Sequence, residues 1–223
     1  MIEQILPPGV AVSEAFDDLA DAPLFPEEAA VVRNAVDSRK REFATARMCA
    51  RRALADMGLP AVPVLPGQGG APRWPETVVG SLTHTRGYRA AVVGRRTHFA
   101  TLGIDAEPHA PLPDGVIDVT ALPAERDHLR VLRTADPGVC WDRLLFCMKE
   151  AVFKAWYPFT GESLGFEDAD IGIDLGTGTF SARILAPYSP TGGGRLDRLD
   201  GRWLVRDGLA LAAITVPAAR LPR

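Results

Sequence analysis

The sequence predicts an α+β fold made of two similar halves, and three observations carry that expectation. Helical periodicity appears twice, each time followed by strand-like runs. Each helical run ends on a glycine or a proline, the residues that stop helices. The remaining apolar runs are short, rich in β-branched residues and set apart by turn residues. The halves are expected at 1–102 and 103–223, joined in the 103–115 region. A chain of 223 residues can bury roughly 70% of its unfolded surface without staples.

Pro26 to Met57 reads as helical. Its clearest part is Ser38 to Met57, where Phe43, Ala46, Ala50, Leu54 and Met57 recur at three- and four-residue spacing. Gly58 and Pro60 stop it. Leu59 to Pro75 is rich in Pro and Gly and is expected as a surface loop. Val78 to Leu82, Arg89 to Val93 and Phe99 to Ala106 read as strands, and Pro108 to Gly115 as irregular. Trp141 to Tyr157 is the second strong helix, with an apolar stripe of Trp141, Leu144, Leu145, Met148, Val152 and Trp156, closed by Pro158. Asp168 to Ile173, Thr179 to Leu185, Trp203 to Arg206 and Leu209 to Val216 read as strands. Asp207-Gly208 signals a two-residue hairpin between the last two. Pro187 to Arg195, with three consecutive glycines, is expected as a flexible loop.

Composition narrows the function classes. A net charge of −3 argues against a general nucleic-acid binder, which carries a basic excess. Three cysteines, Cys49, Cys140 and Cys147, make no zinc spacing and fit a reducing compartment. Glu3 and Pro7-Pro8 stand where a signal peptide would be basic and apolar. The longest apolar run, Leu209 to Val216, is far shorter than the roughly 20 residues of a membrane span. A cytoplasmic protein with no membrane partner is expected.

The chemistry concentrates in two places. Asp105 and Glu107, in Gly103-Ile104-Asp105-Ala106-Glu107, end an apolar strand. Alternate strand residues share a face, so both carboxylates aim at one spot, about 7 Å apart at the backbone. A cation between them resolves their repulsion; a solvated strand end describes the same spacing. Glu150 and Lys154 lie one helical turn apart on one face, with Lys149 beside them. Read alone they are a surface ion pair. Read with the acids, they supply oxygen ligands for a Mg²⁺-type ion and cations for phosphates.

Two further segments offer phosphate ligands. Gly80-Ser81-Leu82-Thr83-His84-Thr85 follows a strand with hydroxyls and an imidazole. Lys40, Arg47 and Arg51 fall near one line of the first long helix, with Arg39 and Arg52 beside them, although a solvated basic face has the same pattern. Gly161-Glu162-Ser163-Leu164-Gly165 matches a nucleophile elbow but follows a helix, and no histidine occurs beyond His128. Gly176-Thr177-Gly178 lacks a Walker lysine and reads as a turn.

Four segments together resemble the Sfp-type 4′-phosphopantetheinyl transferases, most nearly their enterobactin-synthetase (EntD-like) branch. They are Phe43 to Arg51, Gly80 to His84, Gly103 to Pro108, and Trp141 through Asp168. Their order and spacing fit from about residue 35 to 170, and the last fifty residues match only in being strand-rich. The resemblance implies two pseudo-symmetric α/β halves with coenzyme A bound at their interface. It implies Mg²⁺-dependent transfer of 4′-phosphopantetheine to a serine of an apo acyl or peptidyl carrier protein, releasing 3′,5′-ADP, in siderophore, polyketide or nonribosomal peptide biosynthesis. Mn²⁺ is an alternative metal.

Residue by residue, the resemblance places Asp105, Glu107 and Glu150 on the metal, and Lys149 and Lys154 near the pyrophosphate. His84 falls near the phosphates, where the loop's own hydroxyls make Ser81 and Thr83 further cofactor-binding candidates, and Arg47, with Arg39, near the nucleotide 3′-phosphate. Glu150 and Lys154 become the catalytic pair, Glu150 as base toward the carrier serine or as a purely metal-binding group. Relatives place a basic residue in the loop that is here Pro66 to Gly70. Arg73 is the nearby candidate to replace it. A segment from Pro111 to Leu132 is a candidate carrier-facing surface. A monomer would suffice. A Mg²⁺-dependent coenzyme A or nucleotide hydrolase, and a non-catalytic coenzyme A-binding protein, are the competing readings.

Overall fold

Apolar stripes at helical spacing need a sheet to cover them, and each of the two expected helices has one. The structure, a computed structural model, describes residues 1–186 and 196–220. The loop expected at Pro187 to Arg195 lies outside the described residues. The strands are β1 (Val10–Ala15), β2 (Val78–Thr85), β3 (Tyr88–Arg95), β4 (Phe99–Pro108), β5 (Ala169–Asp174), β6 (Thr179–Ile184), β7 (Arg198–Arg206) and β8 (Leu209–Pro217). The helices are α1 (Pro26–Val31), α2 (Asp37–Asp56), α3 (Val116–Thr120), α4 (Pro123–Ala135) and α5 (Trp141–Thr160).

One sheet has three strands in the order β1-β3-β2; the other has five, in the order β4-β8-β7-β6-β5. Every pairing is antiparallel. α2 and α5 are each 20 residues long. Ala50, Ala53 and Leu54 of α2 pack on Ala91 and Val93 of the small sheet. The six residues of the expected α5 stripe are all fully buried, against Ala210, Ala212 and Ile214 of the large sheet. One helix on one antiparallel sheet, twice, is the expected two-half α+β architecture.

A third core joins the halves. Val79, Tyr88, Ala90 and Val92 of the small sheet pack with Leu102, Ile104, Leu211 and Ala213 of the large one, under Ile2 and Ile5. β4 belongs whole to the large sheet, so a division after residue 102 cuts through a strand. A boundary in the turn between Arg95 and Phe99 keeps both sheets intact.

Several element bounds differ from expectation. The run from Pro26 breaks into α1 and α2 across residues 32–36. Pro158 does not close α5, which runs on to Thr160. In the last turn a proline removes one hydrogen bond, and Gly161, left-handed at φ 75°, makes the actual stop. β1, α3 and α4 carry no sequence expectation. Asp207 and Gly208 both have positive φ, 50° and 77°, as a type I′ hairpin requires. The Gly176 to Gly178 turn joins β5 to β6, with Asp174 accepting from the amides of Gly176 and Thr177. Ser163 is exposed after Gly161, and no strand precedes it.

Candidate active site

β4 builds the centre by alternation. Leu102, Ile104 and Ala106 enter the shared core, which turns Gly103, Asp105 and Glu107 toward α5. Gly103 permits the contact: a Cβ there would lie 2.1 Å from the Ala151 carbonyl. Asp105 is 4% exposed. Its Oδ1 accepts from Lys154 Nζ at 2.6 Å and from Thr83 Oγ1 at 3.1 Å. Its Oδ2 is buried with no hydrogen-bond partner among the described residues. Glu107 accepts from Arg143 Nη1 at 3.0 Å.

The carboxylates strain one another. Burial and then the Asp105 charge raise the pKa of both Glu107 and Glu150. Burial, the largest influence, acts to lower that of Lys154, but Asp105 and then Glu150 and Cys147 together raise it. As they stand, no three His, Cys, Asp or Glu among the described residues form a metal-holding group.

The seam between the sheets is closed by side chains. β2 and β4 lie side by side, yet Ser81 Oγ and Thr83 Oγ1 accept the amides of Ile104 and Ala106, each at 3.1 Å. The two hydroxyls line the cavity at the seam, but Thr83 gives its proton to Asp105. Both residues are nearly fully buried.

That cavity measures about 520 Å³ and draws on both halves. Glu150, Phe153, Lys154 and Tyr157 come from α5; Arg39, Glu42, Phe43 and Arg47 from α2. His84 stands at its rim, where Nε2 accepts from Arg39 Nη1 at 2.5 Å. Glu42 accepts from the same nitrogen at 2.9 Å and from Arg89 at 3.5 Å. Burial and then the Arg39 charge lower the His84 pKa. Arg47 is 8% exposed, with Nε donating to the Val64 carbonyl at 2.6 Å and its guanidinium 4.0 Å from the Phe43 ring centre. Burial pushes its pKa down to about 10.

Asp105, Glu150, Lys154, Ser81, Thr83, His84, Arg39 and Arg47 therefore converge, and Glu107 joins at the Arg143 end. Lys149 does not. Its ammonium meets Glu125 at 2.8 Å and the carbonyls of Phe166 and Ala169 at 2.7 and 2.9 Å. Three protons with three protein acceptors leave nothing for a phosphate, so the expected pyrophosphate contact of Lys149 does not fit its placement. Arg51, expected on the basic line, turns to Glu28 at 2.8 Å. Arg73 is exposed, lies against Gly67 of the loop, and is not among the residues that line the cavity. Sequence reasoning missed Tyr157 and Phe153, stacked with ring centres 5.7 Å apart. Their i,i+4 spacing one turn beyond Lys149 and Glu150 was the available signal. Gly69 (φ 63°) lies against Tyr157: a Cβ there would come within 2.4 Å of the phenol ring.

Sequence comparison with known proteins identifies the family. Residues 27–94 match the sequence model described as the 4′-phosphopantetheinyl transferase N-terminal domain. Residues 101–191 match that of the 4′-phosphopantetheinyl transferase superfamily. The chain is 53% identical over 221 residues to 4′-phosphopantetheinyl transferase Svp of Streptomyces mobaraensis, covering 98% of this chain and 90% of that one. It is 47% identical over 229 residues to 4′-phosphopantetheinyl transferase PptT of Mycobacterium tuberculosis, covering 97% and 98%. Enterobactin synthase component D of Escherichia coli is 33% identical over 131 residues, covering 56% of this chain and 59% of that one. No helix among the described residues is long and apolar enough to cross a membrane. The chain belongs to the 4′-phosphopantetheinyl transferase superfamily.

Proposed function

We propose that this enzyme transfers 4′-phosphopantetheine from coenzyme A to a serine of an apo acyl or peptidyl carrier protein. The observation that carries the reading is one cavity between the two halves, lined by Glu150, Lys154, Arg39, Arg47 and His84, with Asp105 bound to Lys154 beside it. A pyrophosphate substrate needs cations around it and a base beside it, and this cavity holds both.

The serine oxygen forms a bond to the pantetheine-side phosphorus, and the anhydride bond to the second phosphate breaks. The electron pair leaves on 3′,5′-ADP. Glu150 takes the serine proton; burial and the Asp105 charge raise its pKa, which makes it the stronger base. Lys154 offsets charge on the departing nucleotide. Arg47, with Arg39, binds the 3′-phosphate, and His84 the adjoining phosphates.

The acids fit a divalent cation. Asp105 Oδ2 is a buried oxygen without a hydrogen-bond partner among the described residues, and Glu107 and Glu150 are under like-charge strain. Asp105, Glu107 and Glu150 would hold Mg²⁺, or Mn²⁺ in its place. When bound, such an ion neutralises charge on the pyrophosphate. Every residue used comes from one chain, so a monomer in the cytoplasm suffices, with no nucleic acid or membrane required.

The test is intact-mass measurement of an apo carrier protein incubated with the enzyme, coenzyme A and Mg²⁺. The expected result is a gain of one phosphopantetheine, lost in Asp105→Ala. No gain on several carriers, with coenzyme A still cleaved or bound, would leave a hydrolase or a binding protein. Glu150→Gln should lower turnover by roughly a hundredfold or more. Near-full turnover with an unchanged Mg²⁺ requirement would remove Glu150 from both of its roles.

A further inference from the structure

Glu28 is 0% exposed and lies on α1, outside the cavity, with no part in the chemistry above. A carboxylate so buried must have hydrogen-bond partners. Oε2 accepts from the Phe25 amide at 3.1 Å and from Arg51 Nη1 at 2.8 Å. Oε1 accepts the Val64 amide at 2.9 Å. Val64 sits in the Pro- and Gly-rich segment before β2, where no strand or helix partner takes its amide. Its carbonyl accepts Arg47 Nε at 2.6 Å. One residue is thus gripped by Glu28 on its amide and grips Arg47 with its carbonyl. Phe43 fixes the guanidinium from a second direction, 4.0 Å away. No hydrogen bond or ion pair among the described residues uses the terminal nitrogens of Arg47, which leaves them for the cavity.

We propose that Glu28 is a positioning residue for the anion-binding arginine: its buried carboxylate fixes Val64, and Val64 aims Arg47 at the substrate 3′-phosphate. The proposal rests on the reading of Arg47 given above. It explains why a buried acid stands behind a site built for an anion. Glu28 neutralises Arg51 and orders the loop, while a peptide unit keeps its charge out of contact with the substrate.

Dephospho-coenzyme A lacks only the 3′-phosphate and is the discriminating probe. The measurement is kcat/KM with coenzyme A and with dephospho-coenzyme A, using one apo carrier, for wild type, Arg47→Ala, Glu28→Gln and Glu28→Asp. Glu28→Gln places an amide donor against one of the donors now bound. Glu28→Asp keeps the charge beside Arg51 but withdraws the oxygen from Val64. Both Glu28 variants should lose roughly tenfold on coenzyme A and little on dephospho-coenzyme A, so the preference ratio falls toward that of Arg47→Ala. Equal loss on both substrates, or a wild-type ratio in variants folded by circular dichroism, overturns the role of Glu28. An unchanged ratio in Arg47→Ala overturns instead the reading of Arg47. Should neither Glu28 variant fold, hydrogen exchange of the wild-type Val64 amide decides: core-like protection is expected, and exchange at the rate of a free loop overturns the proposal.

Discussion

Lys149 and Lys154 lie five positions apart on one helix and have opposite surroundings. Lys154 is 28% exposed and meets Asp105 at the cavity; Lys149 is 1% exposed and meets Glu125, 2% exposed. Burial lowers the Lys149 pKa, although Glu125 acts to raise it. Glu125 also accepts the amides of Leu122 and Ile171, each at 2.7 Å, so the pair pins the start of α4 to β5 and α5. Lys149→Met should cost about 3–5 kcal/mol by leaving Glu125 buried and unpaired. In the folded fraction, KM for coenzyme A should stay near wild type. Denaturant unfolding with steady-state kinetics checks both, and a KM raised tenfold at intact stability would put Lys149 back at the phosphates. His84 makes a second residue-scale prediction. Its folded pKa lies below the ordinary 6.5 through burial and then Arg39. Between the two values the unfolded chain binds more protons, so stability rises with pH across that window and His84 costs most below it. NMR titration of the ring should show a midpoint under 6.5, moving upward in Arg39→Ala.

At the scale of elements, α5 and β4 approach through small residues. A Cβ on Gly103 would lie 2.1 Å from the Ala151 carbonyl and 2.6 Å from the Ala155 nitrogen, both backbone atoms that cannot turn away. Gly103→Ala should therefore destabilise the protein by at least about 1–3 kcal/mol. It should also lower turnover, because Asp105 lies two residues along the same strand. Thermal unfolding and the carrier assay measure the two effects; unchanged values for both would mean that the helix does not rest on this strand. Such closeness was not legible in the sequence, which shows a glycine but not what approaches it. The α2 and α5 stripes were legible, since burial on one face repeats every three to four residues. α4 was missed because only Leu129 and Leu132 are buried apolar residues within it, and its remaining buried contact is the charged Glu125. Pro123 at its first turn and Glu125 three residues after Leu122 were the readable start signals. The site was half legible. Spacing paired Asp105 with Glu107 and Glu150 with Lys154, and the family resemblance put the two pairs at one site, but only the fold shows which lysine Glu125 removes and where Arg51 turns.

The whole molecule is held by parts that neither half owns. One core draws on β2 and β3 from one sheet and β4 and β8 from the other. The seam beside it relies on two hydroxyls, with Thr83 accepting the Ala106 amide while donating to Asp105. Two halves that shared only a flexible linker would unfold in separate steps. With a shared core, loss of either sheet exposes Ile104, Leu211 and Tyr88, so unfolding should be a single cooperative transition despite the two-sheet architecture. Thr83→Val keeps the shape but leaves a buried amide without an acceptor and removes one of the two donors to Asp105. It should lower the unfolding free energy by about 1–3 kcal/mol and so the denaturant midpoint, with the slope unchanged, because the same surface is exposed on unfolding. The carrier assay should fall with it, since Asp105 Oδ1 would then be held by Lys154 alone among its present partners. Ser81→Ala removes the neighbouring acceptor, which touches no carboxylate, and should lower stability while sparing turnover far more. Urea unfolding followed by both tryptophan fluorescence and far-ultraviolet dichroism separates the cases. Non-coincident curves in wild type would mean that the halves fold independently and that the seam is a contact rather than a shared core.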